Sequence, residues 1–313
     1  MKVLWVMLCA LLATATVHAS PKVWQPEGHH VQIPIWPGTP PDAQAVPGPE
    51  KMAVSKGTVG GKPYTWITNV TRPTMTVYRP SGHNTGAAMV VFPGGGFQIL
   101  AIDLEGSEIC HWLTHNGITC VLLKYRVPGP TYDWHCDCRP HNFQTPTLAL
   151  DDAQRTLSLV RYHAQKWHID PHKIGVIGFS AGGYLVAEAS TRYTHRLYKP
   201  VDAADKVSMR PDFAAAIYPG HLDKDGTLNP NVPVTRDTPP TFIVQAEDDD
   251  VDGVQQALTY FDALKKAKVP TELHIYAHGG HAFGLRPTKD PITHWPTLMK
   301  TWLKTIGVLE NAT

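Results

Sequence analysis

Around residue 180 a buried strand runs into a helix with no loop between them. Residues 173–179 are apolar enough for an interior strand, and helical character resumes at Ala181, so the chain has to turn within Ser180. The surrounding Gly178-Phe179-Ser180-Ala181-Gly182-Gly183 shows how so sharp a turn is built. Side chains two positions before and after the serine would collide with the neighbouring strand and helix, and Gly178 and Gly182 remove them. A serine capping a helix is common, but that role needs no glycine on either side. The turn predicts a strained Ser180 backbone, with the hydroxyl raised above a sheet over the positive end of the following helix.

The rest of the chain repeats the alternation. Strands are expected at 87–92, 118–125, 213–218, 241–245 and 272–276, and helices at 105–115, 147–168, 252–268 and 292–306. Strands alternating with helices predict an α/β fold: a mainly parallel sheet covered on both faces, with its working loops at the strands' carboxyl ends. Residues 64–79, mixing Thr, Val, Ile and Tyr, suit antiparallel strands. Residues 20–60 carry Pro34, Pro37, Pro40, Pro41, Pro47 and Pro49, which excludes a continuous helix and predicts an extended arm packed on a single domain at 61–313. Lys and Arg number 28 against 27 Asp and Glu, a formal charge of +1, so no basic field points to nucleic acid.

Met1-Lys2 followed by apolar residues 3–17 and Val17-His18-Ala19 reads as an export signal at 1–19, cleaved after Ala19. The run is shorter than the ~20 residues of a membrane-spanning helix. Its removal leaves Cys110, Cys120, Cys136 and Cys138, which an oxidising compartment favours as disulfides, with the pairing open. His135-Cys136-Asp137-Cys138 crowds metal-ligand types but lacks the Cys-x-x-Cys spacing of a structural zinc site.

Three further segments complete a chemical set with Ser180. Phe92-Pro93-Gly94-Gly95-Gly96-Phe97 ends an early strand, where Gly95 and Gly96, with the amide of Ala181, are the expected donors to an oxyanion. Glu247-Asp248-Asp249-Asp250 follows the 241–245 strand, and His278-Gly279-Gly280-His281 follows the 272–276 strand. The order nucleophile, acid, base fits serine-dependent acyl transfer, with His281 as base. Asp249 is preferred as the acid over Asp248, with Asp250 third, and His278 is the rival histidine. Asp103 and Glu105 either contact substrate or cap the helix that begins there. Trp134 either stacks on a sugar ring or packs, and residues 221–240 form either a lid or an ordinary loop. This chemistry needs no metal or organic cofactor.

Pro-Gly-Gly-Gly-Phe at 93–97, Asp-Leu-Glu-Gly at 103–106, Gly-Phe-Ser-Ala-Gly-Gly at 178–183, Glu-Asp-Asp at 247–249 and Gly-Gly-His-Ala-Phe-Gly at 279–284 together resemble the α/β-hydrolases of the acetyl xylan and feruloyl esterase type, near the hormone-sensitive-lipase-like esterases. The resemblance spans roughly residues 85–307. It implies Ser180, Asp249 and His281 as a triad, an oxyanion loop at 94–96, and an acetyl ester of plant polysaccharide or oligosaccharide as substrate. At Pro93 many lipase-like members have His, although the xylan-esterase-like relatives resemble this sequence there, and Asp249-Asp250-Val251 stands where relatives usually have Asp-Pro-Val. A broad small-ester carboxylesterase and a feruloyl esterase are the alternatives. An exopeptidase lacks the expected propeller-like N-terminal repeat, and a non-catalytic binding protein on this fold need not retain all three groups in order.

Overall fold

The computed structural model describes residues 23–46, 48–128 and 145–310. The expected signal at 1–19, together with Trp134, Cys136 and Cys138, lies outside the described residues. In chain order the strands are β1 (Ile33–Pro34), β2 (Lys51–Val54), β3 (Thr65–Thr68), β4 (Thr74–Tyr78), β5 (Ala88–Phe92), β6 (Thr119–Lys124), β7 (Ile174–Phe179), β8 (Phe213–Ile217), β9 (Asp223–Lys224), β10 (Thr227–Leu228), β11 (Thr241–Ala246) and β12 (Thr271–Tyr276). The helices are α1 (Glu108–His115), α2 (Thr145–Tyr162), α3 (Ala164–Trp167), α4 (Ala181–Thr191), α5 (Gln255–Lys266) and α6 (Trp295–Thr305).

Eight strands form one sheet in the order β1-β4-β6-β5-β7-β8-β11-β12. From β6 to β12 every neighbouring pair is parallel, whereas β4 runs antiparallel to β6 and β1 antiparallel to β4. β5, β6, β7, β8 and β11 are buried at every position, as expected of strands covered on both faces. Adjacent residues of β7 show the two covers, because successive side chains point to opposite faces. A Cβ on Gly178 would meet Gly182 and Val186 of α4, while the ring of Phe179 lies against Trp295 of α6. This is the mainly parallel α/β architecture the alternation predicts.

Four expected helices differ from those observed; the one at 292–306 opens with a 3-10 turn over Pro291–His294 before α6 begins. The segment at 105–115 opens with a π-helical turn over Asp103–Ser107 before α1 begins. The stretch at 147–168 breaks at His163 into α2 and α3, and His168 ends it in the left-handed conformation, φ 56°. Its apolar stripe continues through Ala164, so periodicity alone hides the break. α5 starts three residues after Asp252, because residues 249–252 form a turn in which Asp249 Oδ1 accepts the amides of Val251 and Asp252.

Within the proline-rich stretch, Trp24, Ile35 and Trp36 are buried. Pro34 sits in β1, where a missing N–H is tolerated at the sheet edge. A disulfide joins Cys110 of α1 to Cys120 of β6. Among the described residues, no helix is long and apolar enough to cross a membrane.

Candidate active site

The parallel strands bring the loops after β5, β7, β8, β11 and β12 to one end of the sheet, where the chain leaving β6 also emerges. At the centre, Ser180 follows β7 with φ 52° and ψ −119°, a conformation that costs a non-glycine residue of order 1–3 kcal/mol. The Ser180 amide donates to Ile217 O at 3.1 Å, and its carbonyl accepts from Gly183 and Tyr184 at 2.8 and 3.1 Å. Backbone packs directly on backbone here. A Cβ on Gly178 would strike the Gly182 carbonyl, and one on Gly182 would strike the carbonyl of Phe92.

His281 arrives from the loop after β12 with Nε2 3.0 Å from Ser180 Oγ, and its Nδ1 lies 2.7 Å from Asp249 Oδ2. Asp249 has no exposed side chain. It also accepts from Gln245 Nε2 and from the amides of Val251 and Asp252, so the carboxylate is held fixed beside the imidazole. Burial disfavours the charged imidazolium of His281. The hydrogen bond and charge of Asp249, with the charges of Asp252 and Glu105, outweigh it and raise the pKa above its ordinary 6.5. The rival residues lie elsewhere. His278 is exposed, 3.3 Å from Asp248. Asp248 clamps the histidine loop by accepting the amides of Gly279 and Gly280 at 2.9 and 2.8 Å. Asp250 is exposed.

The glycine loop after β5 is held from below. Gly94 donates its amide to Glu105 Oε2 at 2.7 Å, and the hydroxyl of Tyr218 donates to Glu105 Oε1 at 2.8 Å. Burial raises the Glu105 carboxyl, opposed by those hydrogen bonds and by His281. The Gly94 carbonyl accepts from Ala101, and that of Gly95 from Gln98 and Ile99. In a planar trans peptide the N–H points opposite the preceding carbonyl, so the amides of Gly95 and Gly96 face away from that turn. Asp103 takes the amides of Thr65 and Leu104, which ties it to β3 and not to the cavity.

The cavity above Ser180 measures about 500 Å³ and is lined in part by Tyr64, Gly95, Gly96, Glu105, His221 and Asp252. Of the stretch at 221–240, His221 borders it. Asp252 escapes the sequence reading. Its Oδ2 lies 3.2 Å from Ser180 Oγ and 3.8 Å from His281 Nε2. The serine hydroxyl therefore has two acceptors within reach. The four-aspartate run with a single interruption was the available signal, but only the turn closed by Asp249 swings residue 252 back over the serine.

Residues 110–306 match the prolyl oligopeptidase family. An acetylxylan esterase from Xylanibacter ruminicola is 29% identical over 225 residues, 64% of this chain and 42% of that protein. An endo-1,4-beta-xylanase B from Butyrivibrio fibrisolvens is 28% identical over 222 residues, 64% of this chain and 33% of that one. The chain thus spans less than half the length of these relatives. The structure of an acetyl ester-xyloside bifunctional hydrolase from Caldicellulosiruptor lactoaceticus superposes with a TM-score of 0.68 at 30% identity, covering 89% of this chain and 97% of that one.

Proposed function

The chain belongs to the prolyl oligopeptidase family of α/β-hydrolases, and from that premise we propose that it is a secreted serine esterase that removes acetyl groups from plant polysaccharide or its oligosaccharides. The observation that carries the reading is the continuous chain Ser180 Oγ–His281 Nε2 at 3.0 Å and His281 Nδ1–Asp249 Oδ2 at 2.7 Å. His281 takes the serine proton as Oγ attacks the ester carbonyl, then returns it to the leaving alcohol. Asp249 holds the productive tautomer and stabilises the imidazolium. The amides of Gly95, Gly96 and Ala181 receive the oxyanion, and the strain at Ser180 keeps the hydroxyl presented. Water then releases acetate from the acyl-serine by the same proton route. Acetyl sugar as substrate is supported by the acetylxylan esterase and the acetyl ester-xyloside hydrolase among the similar proteins. Export is supported by the apolar 3–17 segment and by the Cys110–Cys120 disulfide.

The test is acetate release from acetylated xylan, with p-nitrophenyl acetate in parallel, for wild type and Ser180→Ala. Both activities are expected to fall by about 10⁴-fold or more in the mutant. Small-ester turnover with xylan untouched keeps the serine esterase and removes the polysaccharide substrate. Equal activity in a folded mutant removes the mechanism.

A further inference from the structure

A buried carboxylate beside the nucleophile, additional to the one that serves His281, needs a reason. Asp252 is fixed on both sides of its backbone: its amide donates to Asp249 Oδ1 at 2.9 Å, and its carbonyl accepts from Gln245 Nε2 at 2.7 Å. Its side chain lies flat on Gly220, where any Cβ would strike the carboxylate. From there it borders the cavity, together with His221.

Its location relative to the reacting atoms decides its role. The proton that His281 returns must reach the leaving oxygen, so that oxygen sits within hydrogen-bond reach of Nε2. Asp252 Oδ2 is 3.8 Å from the same nitrogen. The carboxylate therefore stands on the alcohol side of the ester, next to atoms one or two bonds beyond the leaving oxygen. The acyl carbonyl lies on the other side, toward Gly95 and Gly96. We propose that Asp252 reads a free hydroxyl vicinal to the ester, which makes the site selective for monoesters of 1,2-diols, the local chemistry of a partly acylated sugar ring. In the absence of substrate the Ser180 hydroxyl occupies that acceptor; a substrate hydroxyl takes its place and leaves the serine proton to His281. An analogue without the donor is disfavoured, because the buried carboxylate then keeps the serine hydroxyl as its donor or loses that partner with nothing in exchange.

The inference rests on the serine-esterase reading but not on polysaccharide as substrate, so small esters suffice to test it. The probes are 2-hydroxyethyl acetate and its capped analogue 2-methoxyethyl acetate. Both are measured as kcat/KM on the alkaline plateau of each enzyme, with wild type, Asp252→Asn, Asp252→Ala and Ser180→Ala. Wild type is expected to favour the hydroxyl ester by at least about tenfold, and both Asp252 variants to bring that ratio toward one. A wild-type ratio near one overturns the proposal, and since it is read on the intact enzyme it does not depend on any variant folding. So does an equal loss on both esters in the variants, which would place Asp252 in the proton chemistry, and so does failure to turn over the diol ester at all. Turnover that survives Ser180→Ala overturns the esterase reading itself, a separate result.

Discussion

Four aspartates within five positions do four different things. Asp248 ties two loops, Asp249 partners His281, Asp250 faces solvent, and Asp252 lies against Ser180. The sequence supports the choice of Asp249 because the acid must follow a strand end, yet three neighbours share that property. Only the turn after β11 separates them, and nothing in the linear pattern announces Asp252. The arrangement fixes the sign of a pH effect. His281 acts as a base only when neutral, and its pKa lies above 6.5 because Asp249, Asp252 and Glu105 face it. The kcat/KM for p-nitrophenyl acetate should therefore rise with pH through a midpoint above 6.5. Asp252→Asn removes one of the charges holding that proton, so the midpoint should move to lower pH. A pH–rate profile of both enzymes checks this; a midpoint that stays put or rises in the variant contradicts the assignment of the charge.

At the scale of elements, the sequence pattern locates the parallel strands to within a residue, because buried parallel strands are short apolar runs with abrupt ends; the short β1, β2, β9 and β10 carry no such run and are not legible. Helix starts are less legible where a turn or a π-helical insertion precedes them, as at Asp103–Ser107, since the apolar stripe does not record which carbonyl each amide chooses. The cysteine pairing is likewise invisible in the sequence. Cys110 meets Cys120 because α1 packs back on β6, the strand that follows it. Both are fully buried and close a loop with a separation of ten residues. Replacing both by Ala should cost about 2–4 kcal/mol, from the freed unfolded chain and two small voids. Urea unfolding followed by circular dichroism measures it. A change below about 1 kcal/mol would mean that α1 is held by packing alone.

Across the whole molecule, the proline-rich N-terminal stretch is joined to α2 and to the chain after β6 through buried charge. Trp36 Nε1 donates to Asp152 Oδ1 at 2.8 Å, and its ring lies 4.6 Å from that of Tyr198, edge to face. Arg126 pairs with Asp152 at 2.9 Å and donates to Pro41 O at 2.6 Å, while Arg155 donates to Ile35 O at 2.9 Å. The chain that follows β6 thus connects the arm to the site: Tyr125, next to Arg126, donates its hydroxyl to Pro93 O at 2.5 Å, directly before the glycine loop. Proline content does not announce that Trp36 completes the partners of a buried carboxylate. Burial raises the Asp152 carboxyl, against the pull of Arg126 and of Trp36, so each donor counts. Trp36→Ala should cost about 3–5 kcal/mol, since it removes a large buried ring and a donor together. Trp36→Phe keeps most of the ring and loses the donor, and should cost about 1–3 kcal/mol. Urea unfolding of the two variants separates the contributions. If Phe proves as damaging as Ala, the hydrogen bond to Asp152 dominates the attachment; if Phe is neutral, the segment is held by packing, and the carboxylate is satisfied by Arg126 without it.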